Sequence, residues 1–291
     1  MEILFGGVRG TTPRAESRFA IYGGHTTCLL VTGAGGERLM LDAGSGVHVA
    51  NAALEAVSGL DLLVLFTHLH LDHILGLPLL TTLFDAEARV ELASVSNDNE
   101  GPCRAFERLL DPPLWPLGLD ALPATVTYSS VPPGKLTQTE PVLRQGNLEI
   151  RGCAVPHPNG CTGWRVDEPS TGASFVFATD MEWSAAGPKH REAFLATCRD
   201  ADLLIMDGHF TAAELPDRTG WGHSSHDECV AVAQEAGVRR LLITHHAPDN
   251  DDVLLADLDR ELNASWSGAS LARQGDTVIL NEALREGRNS L

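Results

Sequence analysis

Thr67-His68-Leu69-His70-Leu71-Asp72-His73 follows directly on the apolar run Leu62-Leu63-Val64-Leu65-Phe66. Three imidazoles and a carboxylate crowd the end of what reads as a buried strand. A core gains nothing from that polarity, whereas a divalent metal takes these donors on a rigid support. His68 and His70 are two residues apart, so in extended chain their side chains share a face, while Asp72 and His73 open the next element and can serve a second ion. The layout is binuclear. Histidines scattered over a surface or satisfied in a core are the usual reading of a lone His, and the companion donors elsewhere in the chain argue against it here.

Each companion follows an apolar run of its own. Asp42 follows Leu39-Met40-Leu41, His157 follows Ile150 to Val155, and Asp180 follows Phe175 to Ala178. Asp207 follows Leu203 to Met206, and His245 and His246 follow Leu241-Leu242-Ile243. Near-continuous apolar runs are what strands covered on both faces look like. If those strands lie side by side with the same edge up, all these groups meet on one rim, where α/β folds keep their sites.

The HxHxDH signature of His68, His70, Asp72 and His73 strongly resembles the metallo-β-lactamase fold superfamily, and the resemblance spans nearly the whole chain. It implies a single domain folded as a four-layer αββα sandwich. It further implies that His157 completes the first metal's histidine set, that Asp180 bridges the ions, and that His245 joins Asp72 and His73 on the second. The family pattern aligns Thr244-His245 with its final motif, which favours His245 over His246. Asp42, before the Gly44-Ser45-Gly46 turn, would orient the ligands. Gly222-His223-Ser224-Ser225 looks like the HST-type motif of RNase Z and related cyclic phosphodiesterases, with Asp207 where those enzymes carry an acidic partner, usually Glu. Gly6-Gly7-Val8-Arg9-Gly10 and Tyr22-Gly23-Gly24-His25-Thr26-Thr27 look like the same branch.

The function implied is hydrolysis of a small phosphodiester, cyclic ones included, by a hydroxide bridging two ions about 3.5–4 Å apart, with Asp72, His223 and Asp207 carrying catalysis. A hydrolase of a carboxylic ester, lactone or lactam would use the same centre. A non-catalytic metal or cofactor-binding protein on this fold should have lost ligands, and none is missing. Zn2+ is the first expectation for the ions, and Mn2+ or Fe2+ suit the same donors. A homodimer is a family-level expectation.

The 291-residue chain can bury a sizeable core as one domain. Its net charge of −18 weighs against a nucleic-acid polymer as substrate, while metals in a cleft leave room for a small anion. Cys28, Cys103, Cys153, Cys161, Cys198 and Cys229 form no metal spacing and read as reduced thiols. There is no signal-peptide pattern and no apolar run of membrane-spanning length, so a cytoplasmic protein is expected.

Residues 1 to 43 read as strands with Gly turns, with a hairpin at Gly33-Ala34-Gly35-Gly36. Helices are expected over 47 to 58 and 72 to 80, the second interrupted at Gly76-Leu77-Pro78. Residues 84 to 146, with their proline pairs, read as a less regular insertion or cap over the cleft. Ser225-His226-Asp227-Glu228 is a capping box that starts a helix ending near Gly237. A further helix runs from about Asp251 to Ser265 with Asn250 as its N-cap, and the tail after Glu282 reads as loose. His48 and His190 read as surface residues. His25 and His209 lie in loops expected near the cleft, and Trp183 and Trp221 are expected to flank it.

Overall fold

The computed structural model of the protein describes residues 1–97 and 101–280, so the tail after Glu282 lies outside the described residues. In chain order the first half contains β1 (Glu2–Gly7), β2 (Cys28–Thr32), β3 (Arg38–Leu41), α1 (Val47–Leu54), β4 (Asp61–Leu65), α2 (Leu71–Ile74), β5 (Arg89–Val95), α3 (Gly101–Leu109) and β6 (Thr125–Val131). The second contains β7 (Leu143–Gln145), β8 (Leu148–Val155), β9 (Cys161–Glu168), β10 (Ala173–Ala178), α4 (Pro188–Cys198), β11 (Leu203–Asp207), α5 (His226–Glu235), β12 (Leu241–Thr244), α6 (Asp252–Ser265), β13 (Ala269–Leu271) and β14 (Thr277–Ile279).

The strands make two mixed sheets, ordered β14-β1-β2-β3-β4-β5-β6 and β13-β12-β11-β10-β9-β8-β7. In the first, β14 through β3 pair antiparallel and β3 through β6 parallel. In the second, β7 through β10 pair antiparallel and β10 through β13 parallel. The sheets therefore share one plan, although no repeat is legible in the sequence.

Alternation along the strands builds the layers, because successive side chains point to opposite faces. Phe175, Phe177, Leu203 and Ile205 pack with Leu39, Leu41, Leu63 and Leu65 in the core between the sheets. Their neighbours Val176, Ala178, Leu204 and Met206 pack instead with Phe194 of α4, Val232 of α5 and Leu255 of α6. On the outer face of the first sheet, Met40, Leu62 and Val64 meet Val47 and Leu54 of α1 and Phe106 of α3. The result is the αββα sandwich. Burial on both faces explains why β4, β11 and β12 read as unbroken apolar runs rather than alternating ones.

Residues 84 to 146 differ from the insertion or cap read from the sequence. They include β5 and β6, which extend the first sheet in parallel register with β4. β6, with the sequence Thr125-Val-Thr-Tyr-Ser-Ser-Val131, is an edge strand whose side chains are mostly exposed or half-buried, so it lacks the apolar signature of the central strands. Ser94 to Asn97, Pro133 and Leu136 of this segment line a hollow that also reaches His68 and His70, whereas the cleft lined by His157, His223 and His245 takes no described residue from it. The expected helix over 72 to 80 is a single turn followed by a 3-10 turn at Leu77–Leu79, broken where Gly76 and Pro78 stand. Asp251, not Asn250, caps α6: its carboxylate accepts from the backbone N–H groups of Val253 and Leu254. α5 begins with the predicted capping box between Ser225 and Glu228. None of the six cysteines is in a disulfide among the described residues. Among the described residues no helix is long and apolar enough to cross a membrane.

Candidate metal centre

Asp42, Thr67, His157, Asp180 and His245 stand one or two residues beyond the ends of β3, β4, β8, β10 and β12, and Asp207 is the last residue of β11. Parallel pairing of β3 with β4, and of β10 with β11 and β12, sets these ends on one rim. Asp42, Asp180 and His245 turn sharply there, with φ of 58°, 55° and 60°. Side chains other than glycine hold such a left-handed backbone only where the surroundings enforce it, and such positions cluster at functional sites.

The donors fall into two groups with Asp180 between them. Asp180 Oδ1 lies 4.0 Å from His68 Nε2 and 3.7 Å from His157 Nε2. His157 Nε2 is 3.2 Å from His70 Nδ1. The other oxygen, Asp180 Oδ2, is 3.0 Å from His73 Nε2 and 3.1 Å from His245 Nε2, and each of those nitrogens is 3.4 Å from Asp72 Oδ2. Donors about 2.0–2.1 Å from one tetrahedral ion lie about 3.3 Å from one another, so both groups have the spacing that an ion requires. The buried nitrogens His68 Nε2, His73 Nε2 and His245 Nε2 have no hydrogen-bond partner. Such orphans are costly unless something absent from the chain itself binds them.

Charge points the same way. Asp42, Asp72 and Asp180 are buried, and among the described residues their ion pairs are with histidines, not with Lys or Arg. Burial pushes the His68 pKa down to about 2, helped by neighbouring His73, so the ring is neutral and free to ligate. Burial also opposes a charge on His73, but the carboxylates of Asp180, Asp42 and Asp72 outweigh it and hold its pKa well above the ordinary value. That pull is what a cation at the same place would satisfy. The residues present therefore suit divalent metal binding.

Surrounding groups aim the rings. Asp42 Oδ2 accepts from His73 Nδ1 at 2.8 Å and also from Thr67 Oγ1, while Oδ1 accepts from the Thr67 N–H. His157 Nδ1 donates to the Gly222 carbonyl at 3.0 Å. A Cβ on Gly222, whose φ is 88°, would come 2.2 Å from His157 Nδ1, so only glycine permits this approach. Arg9 of the opening Gly-rich segment is buried. Its guanidinium donates to the carbonyls of Gly23, Ala247 and Asn250, pinning the loop that follows His245. His246 faces away: its Nε2 bonds the Ala272 carbonyl at 2.8 Å and its ring packs edge-on against Tyr22.

His223 overhangs both groups, its ring centroid 5.7 Å from that of His157 and 5.1 Å from that of His245. Its Nδ1 donates to Asp207 Oδ2 at 2.6 Å. Burial alone would lower the His223 pKa, but the charge and hydrogen bond of Asp207 raise it to about 9. His209 stacks on His223, with centroids 4.4 Å apart, and donates through Nδ1 to the His245 carbonyl. Both rings line a cleft of about 520 Å³ together with His70, Asp72, His157, Asp180, His245 and Trp221.

Two expectations are corrected here. His25 does not line the cleft; it is half-buried, with Nδ1 3.1 Å from Ser45 Oγ and its ring beside that of His48. Trp183 is buried against Phe194 and Arg191, a packing residue whose backbone N–H donates to Ser224 Oγ. Loop position alone misplaced both. Sequence reading also missed Glu182, a buried carboxylate that accepts from the backbone N–H groups of Gly220 and Gly222 and so holds the His223 loop. Nothing local marks it, because its partners are backbone groups distant in sequence.

Known proteins resemble this chain to different extents. The family model described as the beta-lactamase superfamily domain matches residues 37–246. Ribonuclease Z of Methanosarcina acetivorans is 38% identical over 119 residues, covering 40% of this chain and 33% of that protein, so the chain spans about a third of that relative's length. Ribonuclease Z of Methanosarcina mazei is 25% identical over 292 residues, covering 84% of this chain and 87% of the relative. Among solved structures, the metallo-beta-lactamase fold protein YhfI of Bacillus subtilis matches with a TM-score of 0.70 at 22% identity, over 96% of this chain and 99% of that one, a likeness of fold. With well over half its length matched by the family model, the chain belongs to the beta-lactamase superfamily, in its metallo-β-lactamase-fold form.

Proposed function

We propose that the protein is a metal-dependent hydrolase of small phosphodiesters, with a binuclear centre. Two divalent ions, Zn2+ first among the candidates, would supply an activated water and neutralise phosphate charge. His68, His70 and His157 would hold one, Asp72, His73 and His245 the other, and Asp180 both. The observation that carries the phosphodiester reading is the Asp207–His223 pair at 2.6 Å, facing the cleft beside both donor groups. A phosphodiester is an anion whose departing alkoxide needs a proton. A histidine kept protonated by a buried carboxylate can neutralise the first and supply the second. His223 would donate from Nε2 while Asp207 holds Nδ1, which fixes the ring's direction. The ribonuclease Z name of the two Methanosarcina relatives supports phosphodiester chemistry, and the net charge of −18 supports a small substrate over a polymer.

The test is a paired assay of metal-replete protein on bis(p-nitrophenyl) phosphate and on a simple lactone. Phosphodiester cleavage that disappears with chelation and returns with added Zn2+ is expected. Efficient lactone opening with no phosphodiester cleavage would instead assign the same donors to carbonyl chemistry.

A further inference from the structure

The loop that presents His223 also presents an indole to solvent. Trp221 is 59% exposed at the wall of the cleft. Its backbone is nonetheless tied on both sides. Glu182, 3% exposed, accepts from Gly220 N at 2.9 Å and from Gly222 N at 2.9 Å, and Trp221 N donates to the Arg218 carbonyl at 3.1 Å. The Gly222 carbonyl in turn receives His157 Nδ1. The backbone that carries the indole is thereby held in register with a candidate metal ligand, so less of its freedom remains to be lost when something binds there.

Arg218 lies over one face of the indole, its guanidinium carbon 5.1 Å from the ring centroid, and Phe210 stands nearly perpendicular at 6.4 Å. Arg218 forms no ion pair among the described residues. The nearby carboxylate of Glu214 is taken up by the N–H and hydroxyl of Thr211. An unneutralised cation at the mouth of a cleft is notable in a chain of net charge −18. Phe210 and Trp221 are the Phe, Tyr or Trp rings among the described residues that line this cleft, which gives one platform and no track for successive bases.

We propose that Trp221, backed by Arg218, is a stacking platform for a single planar ring on the substrate, and that it selects nucleotide-like phosphodiesters over aliphatic ones. The proposal rests on the phosphodiesterase reading. An aromatic side chain discriminates by area and π-face and not by hydrogen bonds, so it prefers a ring of any base over none. Glu182 acts through the backbone as the positioning residue of the platform.

Isothermal titration of metal-replete protein with adenosine 5′-monophosphate and with ribose 5-phosphate isolates the ring, because the two ligands carry the same phosphate. Wild type should bind the nucleotide about 5- to 100-fold more tightly, the range that one base–aromatic stack supplies. Trp221→Leu should bring the two affinities to within about twofold, and Trp221→Phe should keep most of the difference. Equal affinities in wild type, or an unchanged ratio in Trp221→Leu, would overturn the platform and leave the phosphodiesterase reading standing. Binding of neither phosphate would overturn both.

Discussion

His223 carries the phosphodiester reading, and its chemistry can be tested by substitution. His223→Ala should keep its metal and its fold while kcat falls about 100- to 10,000-fold on a substrate with a poor leaving group. The loss should shrink for p-nitrophenyl esters, which need little protonation. The pH profile adds a sign. The His223 pKa is raised to about 9 in the folded protein, so its proton is present at neutral pH and lost as pH rises through that value. Activity should fall along the same limb. Asp207→Asn removes the main influence raising it while burial remains, so the limb should move to lower pH; an unmoved limb would detach His223 from the titration. The groups legible in sequence were those with unusual chemistry for their place, such as His68 or Asp180 beyond an apolar run. His25 and Trp183 misled because a loop's position says little about which way its side chains point, and Glu182 was invisible because it works through backbone N–H groups.

The segment from Gly220 to α5 shows how local rules assemble a site. Gly220 and Gly222 adopt φ of 87° and 88°, which lets both N–H groups turn to Glu182, and Ser225 then closes the loop as an N-cap. The capping box was readable because its two partners are three residues apart. Ser225→Ala should cost about 1 kcal/mol, read as a lower denaturation midpoint in urea. Gly222→Ala should do something different. Its new Cβ would press on His157 Nδ1, so one metal should bind more weakly even where stability is little changed. Metal affinity equal to wild type in Gly222→Ala would remove Gly222 from any part in aiming His157. Central strands β4, β11 and β12 are plain from composition, whereas β5 and β6 are not, because β5 mixes polar with apolar residues, β6 is a polar edge strand, and both sit in a stretch whose proline pairs suggest irregular chain.

Net charge is the whole-chain property that bears on the proposed size of the substrate. A net charge of −18 disfavours phosphate backbones over the surface as a whole, so the protein should cleave transfer-RNA precursors weakly and bind them without the steep salt dependence of a basic clamp. Tight, salt-sensitive binding of such RNA in a filter assay would contradict this. The sandwich itself, two sheets of one plan packed face to face, brings donors that follow β4, β8 and β12 within 4.0 Å of Asp180 beyond the end of β10, and that convergence could be anticipated only because every candidate followed an apolar run. The shared carboxylate is the centre of the account, and metal content by inductively coupled plasma mass spectrometry tests it most directly. Metal-saturated wild type should carry two divalent ions per chain, and Asp180→Ala should lose occupancy at both positions together with activity. One ion per chain at saturation, or two ions undisturbed in Asp180→Ala, would contradict it.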